Sequence, residues 1–131
     1  MKNNIEKFGQ TAGKIWQILD KYGPLNEKEL VKKIPLNKND FYVGLGWLAR
    51  ENKICKVGTK YQLGNTNLTN QIGINAGKVW NTLNKTKDID VSTIAEISQI
   101  KDKDAYSALG WLARENKIYA SSEKKIKFKL I

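Results

Sequence analysis

The chain has 131 residues and a formal net charge of +10, with no histidine and a single cysteine, Cys55. This length suits two small domains better than one large domain. The sequence has no long apolar run and no apolar segment near its start, so we expect neither a transmembrane helix nor a signal peptide. Without histidine or a cysteine cluster, it predicts no metal site, no cofactor and no catalytic centre.

The positive charge is spread along the chain, with +6 over residues 1–66 and +4 over residues 67–131. A basic excess in both halves indicates a polyanionic partner, most often nucleic acid. The alternative is codon bias, because Lys, Asn and Ile make up 48 of the 131 residues and an AT-rich genome favours all three. Neither a membrane nor a small-molecule substrate is expected as a partner.

The nine residues 46–54, G-W-L-A-R-E-N-K-I, recur without change at residues 110–118. At the same offset of 64 residues, A-G-K-I-W at 12–16 corresponds to A-G-K-V-W at 76–80. Over residues 8–56, 19 of 49 positions match their counterparts without a gap. The chain is therefore a tandem duplication of a unit large enough to be a small domain.

Local patterns divide the first unit into three helices and a hairpin. In chain order these are helices over 11–22, 27–34 and 38–51, and strands over 53–57 and 60–63. Residues 1–8 are polar and expected to fray. Asn26 and Glu29 have the spacing of a capping box, and Asn37 is expected to cap the third helix.

The second unit repeats this order after a polar linker over residues 64–71. The expected elements are helices over 76–85, 91–98 and 103–115, and strands over 117–121 and 125–130. Asp90 is expected to cap the short middle helix. The predicted domains are residues 1–63 and 72–131.

Three helices followed by a two-stranded hairpin is the order of a winged helix-turn-helix. Residues 72–80 and 108–118 also resemble a small prokaryotic winged helix-turn-helix family of uncharacterised function that carries a G-W-L-A-R-E signature. The resemblance implies a mainly α fold with small β wings, an α+β class, as two tandem winged helix-turn-helix domains. It implies DNA binding only by analogy, because a fold does not fix a function.

In such a fold the exposed front of the third helix and the wing contact DNA. For the helices this predicts Lys38, Asn39, Tyr42, Val43, Lys101, Lys103, Tyr106 and Ser107. For the wings it predicts Lys56, Lys60, Lys124, Lys125, Lys127 and Lys129. The two arginines, Arg50 and Arg114, could each form a structural ion pair with a carboxylate, contact phosphate or lie at a domain interface.

Lysine suits phosphate better than base edges, because it lacks the bidentate fork with which arginine reads guanine. The sequence therefore predicts a non-enzymatic, cytoplasmic protein of the nucleoid that binds double-stranded DNA with low specificity, in an architectural role or as a transcriptional regulator. The alternative is a protein-interaction scaffold without DNA binding, with the surface around Trp16 or Trp80 docking a partner. A homodimer is a further option.

Overall fold

The computed structural model describes residues 3–131 and contains two copies of the same element order. The first copy consists of α1 (Glu6–Tyr22), β1 (Leu25–Asn26), α2 (Glu27–Lys33), α3 (Lys38–Arg50), β2 (Ile54–Val57) and β3 (Lys60–Leu63). The second consists of a π-helical turn (Thr69–Gly73), α4 (Ile74–Asn84), β4 (Ile89–Asp90), α5 (Val91–Ser98), α6 (Asp102–Arg114), β5 (Ile118–Ala120) and β6 (Lys127–Leu130). The predicted fold class is confirmed.

The predicted helix caps are present. Asn26 accepts a hydrogen bond from the Glu29 backbone N–H at 2.8 Å, and the Glu29 carboxylate accepts one from the Asn26 N–H at 3.0 Å. Asn37 caps α3 and Asp90 caps α5, each by accepting a backbone N–H three residues later. These caps satisfy N–H groups that the first turn of a helix leaves without a partner.

Each wing is a three-stranded antiparallel sheet rather than a two-stranded hairpin. The strand orders are β1-β3-β2 and β4-β6-β5. The added strands are two residues long, with Leu25 opposite Tyr61 in the first sheet and Ile89 opposite Phe128 in the second. They were missed because two residues are too few to show an alternating pattern.

Each repeat has its own apolar core, yet each core is completed by residues from the start of the other repeat. Leu68 and Ile72, from the start of the second repeat, are buried in the first core. Ile5 and Phe8, from the start of the first repeat, pack against the second core. Neither core is therefore built from one repeat alone.

The start of the chain is fixed by hydrogen bonds to the second wing. Asn3 donates to the Ile118 carbonyl oxygen and accepts from the Ala120 N–H, both at 3.0 Å. The Asn4 N–H donates to the Ala120 carbonyl oxygen, also at 3.0 Å. The expected fraying was wrong for residues 3–8, because these bonds anchor them and α1 begins at Glu6. Residues 1 and 2 lie outside the described residues.

The linker is fixed in the equivalent way on the first wing. Asn67, the counterpart of Asn3, accepts from the Lys56 N–H at 2.9 Å and donates to the Lys56 carbonyl oxygen at 2.7 Å. The Thr66 N–H donates to the Asn52 side chain at 2.8 Å. The segment predicted as a plain linker is thus an ordered connection that runs into the π-helical turn and α4.

The two repeats meet where α3 crosses α6. A side chain at Gly46 would overlap the backbone carbonyl of Ser107, and one at Gly110 would overlap that of Val43. The two helix backbones are therefore in direct contact, an approach that glycine permits because it has no Cβ. The two contacts are related by the same 64-residue offset, so the repeats pack as a pseudo-symmetric pair.

Two reciprocal ion pairs border this crossing. Arg50 donates to Glu115 at 3.1 Å, and Arg114 donates to Glu51 at 2.9 Å. The structure therefore shows the arginines in carboxylate pairs between the repeats, as one predicted option had it. Both arginines are partly exposed, so each pair contributes at most about 1 kcal/mol. The glycine contact is the stronger constraint on how the repeats pack.

We predict that Gly46→Ala destabilises the fold, because the added methyl group meets the rigid backbone of α6. Overpacking of this kind typically costs about 1–3 kcal/mol, measured as the free energy of unfolding in urea. The control is Gly13→Ala in α1, where no atom lies within 4 Å of the added carbon. That variant is expected to gain about 1 kcal/mol through helix propensity. Equal stability of the two variants would contradict direct contact of the backbones.

We also predict that Phe8→Ala weakens the second wing rather than the first. The Phe8 ring lies 6.2 Å from that of Phe128 in β6, centroid to centroid. Removing a half-buried ring should cost roughly 2 kcal/mol, about half the usual value for a buried one. Amide exchange should accelerate in β5 and β6 more than in β2 and β3, with Tyr22→Ala on the same helix as the control. Faster amide exchange only in β2 and β3 would refute the packing of Phe8 against the second wing.

Candidate nucleic-acid interface

The start of α3 in the first repeat faces the wing of the second repeat across a cleft of about 350 Å³. Asn39 lines this first cleft from α3, and Lys124 and Lys125 line it from the wing loop. Lys38, the first residue of α3, precedes Asn39 and is exposed. Candidate residues that are more than 80 positions apart in the sequence therefore lie on one surface.

A second, smaller cleft of about 140 Å³ lies between the start of α6 and the wing of the first repeat. Lys103, near the start of α6, lines it together with Lys56 from the first wing. Tyr42 lies in its wall. Each cleft thus brings the start of a third helix together with the other repeat's wing, and residues of both third helices line it.

The lysines of the first cleft are not equivalent. Lys125 forms an ion pair with Asp90 at 2.9 Å. Its ammonium group holds the pKa of the Asp90 carboxyl well below the usual range, assisted by hydrogen bonds from Thr93, and Asp90 in turn raises the pKa of Lys125. Because this carboxylate compensates the charge of Lys125, the uncompensated positive charge of the loop lies more on Lys124.

The tyrosines of the two third helices occupy walls rather than exposed reading positions. The Tyr42 hydroxyl donates to the Glu27 carboxylate. Burial raises the pKa of Tyr42, and the hydrogen bond to Glu27 adds to the rise. Burial also raises the pKa of Tyr106, reinforced by the nearby carboxylates of Asp102 and Asp40. Both rings are partly buried, so their polar edges face protein carboxylates.

Two predicted reading residues are not on the exposed front of their helices. Val43 is 4% exposed and Ser107 is 5% exposed. Both lie at the α3–α6 crossing, where their backbone carbonyls contact the glycines of the opposite helix. The expectation that these two side chains are exposed was wrong, because each repeat covers the middle of the other repeat's third helix.

The remaining candidates are distributed over the wings and helix starts. Lys60, Lys101 and Lys127 are exposed. Lys129 lies over the Tyr119 ring at 5.1 Å and lines a separate cleft with Lys87. Lys129 is therefore not part of the first cleft, although it belongs to the same wing.

Acidic residues also line these clefts, and sequence reasoning did not include them. Asp40, Asp90 and Asp102 line the first cleft, and Glu27 and Asp104 line the second. Asp40 and Asp104 are counterparts at the 64-residue offset, but they repeat as part of the general likeness and carry no separate signal. Because these carboxylates line the walls of the clefts, the basic charge lies at the rims.

The described part of the chain, residues 3–131, has no group of three or more Cys, Asp or Glu residues arranged to hold a metal ion. No helix within those residues is both long and apolar enough to cross a membrane.

Comparison with protein families gives two matches to one family, described as winged helix-turn-helix domain (DUF2582), over residues 1–63 and 68–129. The second match starts at Leu68, which is the first buried residue that follows the first wing. No curated protein and no solved structure matches the chain. A winged helix-turn-helix suggests a DNA-binding or regulatory role, and such domains are typically not enzymes. Since the matches cover most of the sequence, the chain belongs to the DUF2582 winged helix-turn-helix family, in which it is a tandem duplication.

Proposed function

We propose that this protein binds double-stranded DNA with low sequence specificity, as an architectural protein of the nucleoid or a broadly acting regulator. The observation that supports this best is the pairing of each third helix with the other repeat's wing. Lys124 lines the first cleft together with Asn39, which follows the exposed Lys38, and Lys103 and Lys56 line the second. The pseudo-symmetric pair thus presents lysines at the rims of two clefts, as the two equivalent halves of a dimeric DNA-binding protein would.

The low specificity follows from which side chains remain for base contacts. Arg50 and Arg114 are engaged with carboxylates between the repeats. Val43 and Ser107 are buried. What remains on the rims is mostly lysine, which binds phosphate as a point charge and carries little sequence information.

The competing function is a scaffold that binds proteins and not DNA. The specific observation in its favour is the exposure of Trp16 and Trp80 outside the clefts. A gel shift with a random-sequence duplex at about 0.1 M salt separates the two functions, because non-specific DNA binding is measurable under such conditions. Absence of any shift would leave the scaffold as the better explanation.

We predict that the affinity for duplex falls with salt in the manner of phosphate neutralisation. If about four to eight phosphates are contacted, log K should fall with log salt at a slope near −4 to −7. Replacing Lys38, Lys56, Lys103 and Lys124 with Gln should flatten this slope by about 3 to 4, and should weaken all sequences alike.

The matched control removes the same charge from the outer helices α1 and α4. It replaces Lys14, Lys21, Lys78 and Lys85 with Gln. These four lysines are exposed and form two pairs at the 64-residue offset. This control should change the slope by less than about one. If both quadruple variants change the slope equally, binding is a property of net charge, and the clefts are not its site.

DNA binding is also expected to be nearly independent of pH between about 6 and 8.5. The cations are Lys and Arg, whose reference pKa values lie above this window. The pKa of Asp90 is lowered, so it stays ionised, and burial raises the pKa of Tyr61 to about 12, so it stays protonated. Affinity at constant ionic strength should vary by less than about threefold. A tenfold change, about 1.4 kcal/mol, would show that a group titrates in this window and would contradict the prediction, with Asp40, whose pKa burial raises, as the first group to test.

A further inference from the structure

The second cleft contains two hydroxyl groups that have no partner within the protein. Tyr61 in β3 and Ser107 in α6 both line this cleft, and each residue is only 5% exposed. Within residues 3–131, neither hydroxyl forms a hydrogen bond. No side-chain oxygen in this part of the chain is both sealed from solvent and unpartnered, so each hydroxyl is reached from the cleft. Two nearly buried side chains thus offer free donors and acceptors to one cavity.

Charged groups of both signs surround these hydroxyls. Lys56 and Lys103 line the cleft, and so do Glu27 and Asp104, which gives the lining a formal net charge of zero. Among the described residues none of these four groups belongs to an ion pair. The Glu27 carboxylate accepts the hydroxyl hydrogen of Tyr42, which is a neutral donor. The cleft therefore presents cations and carboxylates whose charges nothing in the protein compensates by direct contact.

The first cleft is apolar at three positions where the second cleft is polar. The pairs of counterparts, with the residue of the second cleft first, are Glu27 and Val91, Tyr61 and Phe128, and Ser107 and Val43. Two pairs follow from the 64-residue offset. The aromatic pair follows from strand register, because each ring lies opposite the short first strand of its sheet. The fold thus accepts apolar residues at all three positions, so packing does not explain the polar groups of the second cleft.

The size and the charges of the second cleft limit what it can hold. Its volume is about 140 Å³, and a cavity of about 150 Å³ holds a molecule the size of benzene, with about six non-hydrogen atoms. A simple anion would lie near Glu27 and Asp104, and a simple cation would lie near Lys56 and Lys103. A small molecule that carries both charges and no net charge meets neither conflict and complements the lining.

We propose that the second cleft binds a small zwitterionic amino acid with an uncharged side chain. The ammonium group of the ligand meets the two carboxylates, and its carboxylate meets the two lysines. The hydroxyls of Tyr61 and Ser107 complete its hydrogen bonds, replacing water that satisfies them in the free protein. The proposal concerns the protein without DNA and does not depend on DNA binding.

The test titrates the full chain, without DNA, with glycine, alanine, serine, threonine and proline in turn. We expect at least one of them to bind with a Kd below about 1 mM, an affinity within reach of a ligand of about six non-hydrogen atoms. Binding is followed by the NMR shifts of the Tyr61, Lys103 and Ser107 amides. It should also raise the thermal unfolding temperature, because the ligand binds the folded state.

A double variant, Tyr61→Phe/Ser107→Ala, removes the two hydroxyl oxygens and no other polar group. It should fold, because the first cleft carries phenylalanine and valine at the counterpart positions, and its thermal unfolding without ligand verifies this. Its Kd for the amino acid should rise at least about tenfold, since the ligand loses two hydrogen-bond partners. The matched control, Tyr119→Phe/Ser122→Ala, removes two hydroxyls outside the second cleft and should leave the Kd unchanged.

Three results would overturn the proposal. The first is no response to any of the five amino acids at about 10 mM, ten times the expected upper limit of Kd. The second is an equal Kd for the original chain and the double variant, which would place the binding site elsewhere. The third is binding of inorganic phosphate or of cytosine in place of the amino acids, abolished by the double variant. That result would identify an anion or a neutral base as the occupant.

Discussion

The contact between the α3 and α6 backbones at Gly46 and Gly110 is the constraint on which the rest of this structure depends. Each glycine accommodates a backbone carbonyl of the opposite helix, so no larger residue fits without separating the helices. This crossing brings the ends of α3 and α6 together, where the reciprocal arginine–glutamate pairs form. The repeated G-W-L-A-R-E-N-K-I stretch thus encodes how the repeats pack as well as how each one folds.

The crossing also explains why the chain segments before each first helix are exchanged between the repeats. Asn3 binds the second wing and Asn67 binds the first, at equivalent backbone positions. Apolar residues from each segment then complete the opposite core. In effect the chain contains two winged helices packed as a pseudo-symmetric pair. This places each helix start beside the opposite wing, which is the geometry that the DNA-binding proposal uses.

Much of the fold could be predicted because its signals are local. The cap residues Asn26, Asn37 and Asp90 act within one turn, and the alternation around Phe128 defines a strand in a few residues. The burial of Val43 and Ser107 could not be predicted in this way. Valine and serine both occur on exposed helix faces, and nothing local shows that another helix covers them. Glycine at position 46 permits a close approach, but nothing local identifies α6 as the helix that approaches.

The residue types of the candidate site could be predicted from the sequence, but their arrangement in space could not. The lysines of helix starts and wings follow from the fold, yet their pairing across the repeats depends on the crossing. The acidic walls were missed because Asp40 and Asp104 repeat as part of a general likeness and carry no signal of their own.

The central claim is that α3 and α6 are in direct backbone contact, and a nuclear Overhauser spectrum of the intact protein tests it most directly. The account predicts cross-peaks between the α-protons of Gly46 and those of Ser107, and between the α-protons of Gly110 and those of Val43. Both sets should appear together with slow amide exchange at the crossing. Absence of these cross-peaks, with Val43 and Ser107 amides exchanging as fast as those of exposed loops, would show instead that the repeats are independent domains.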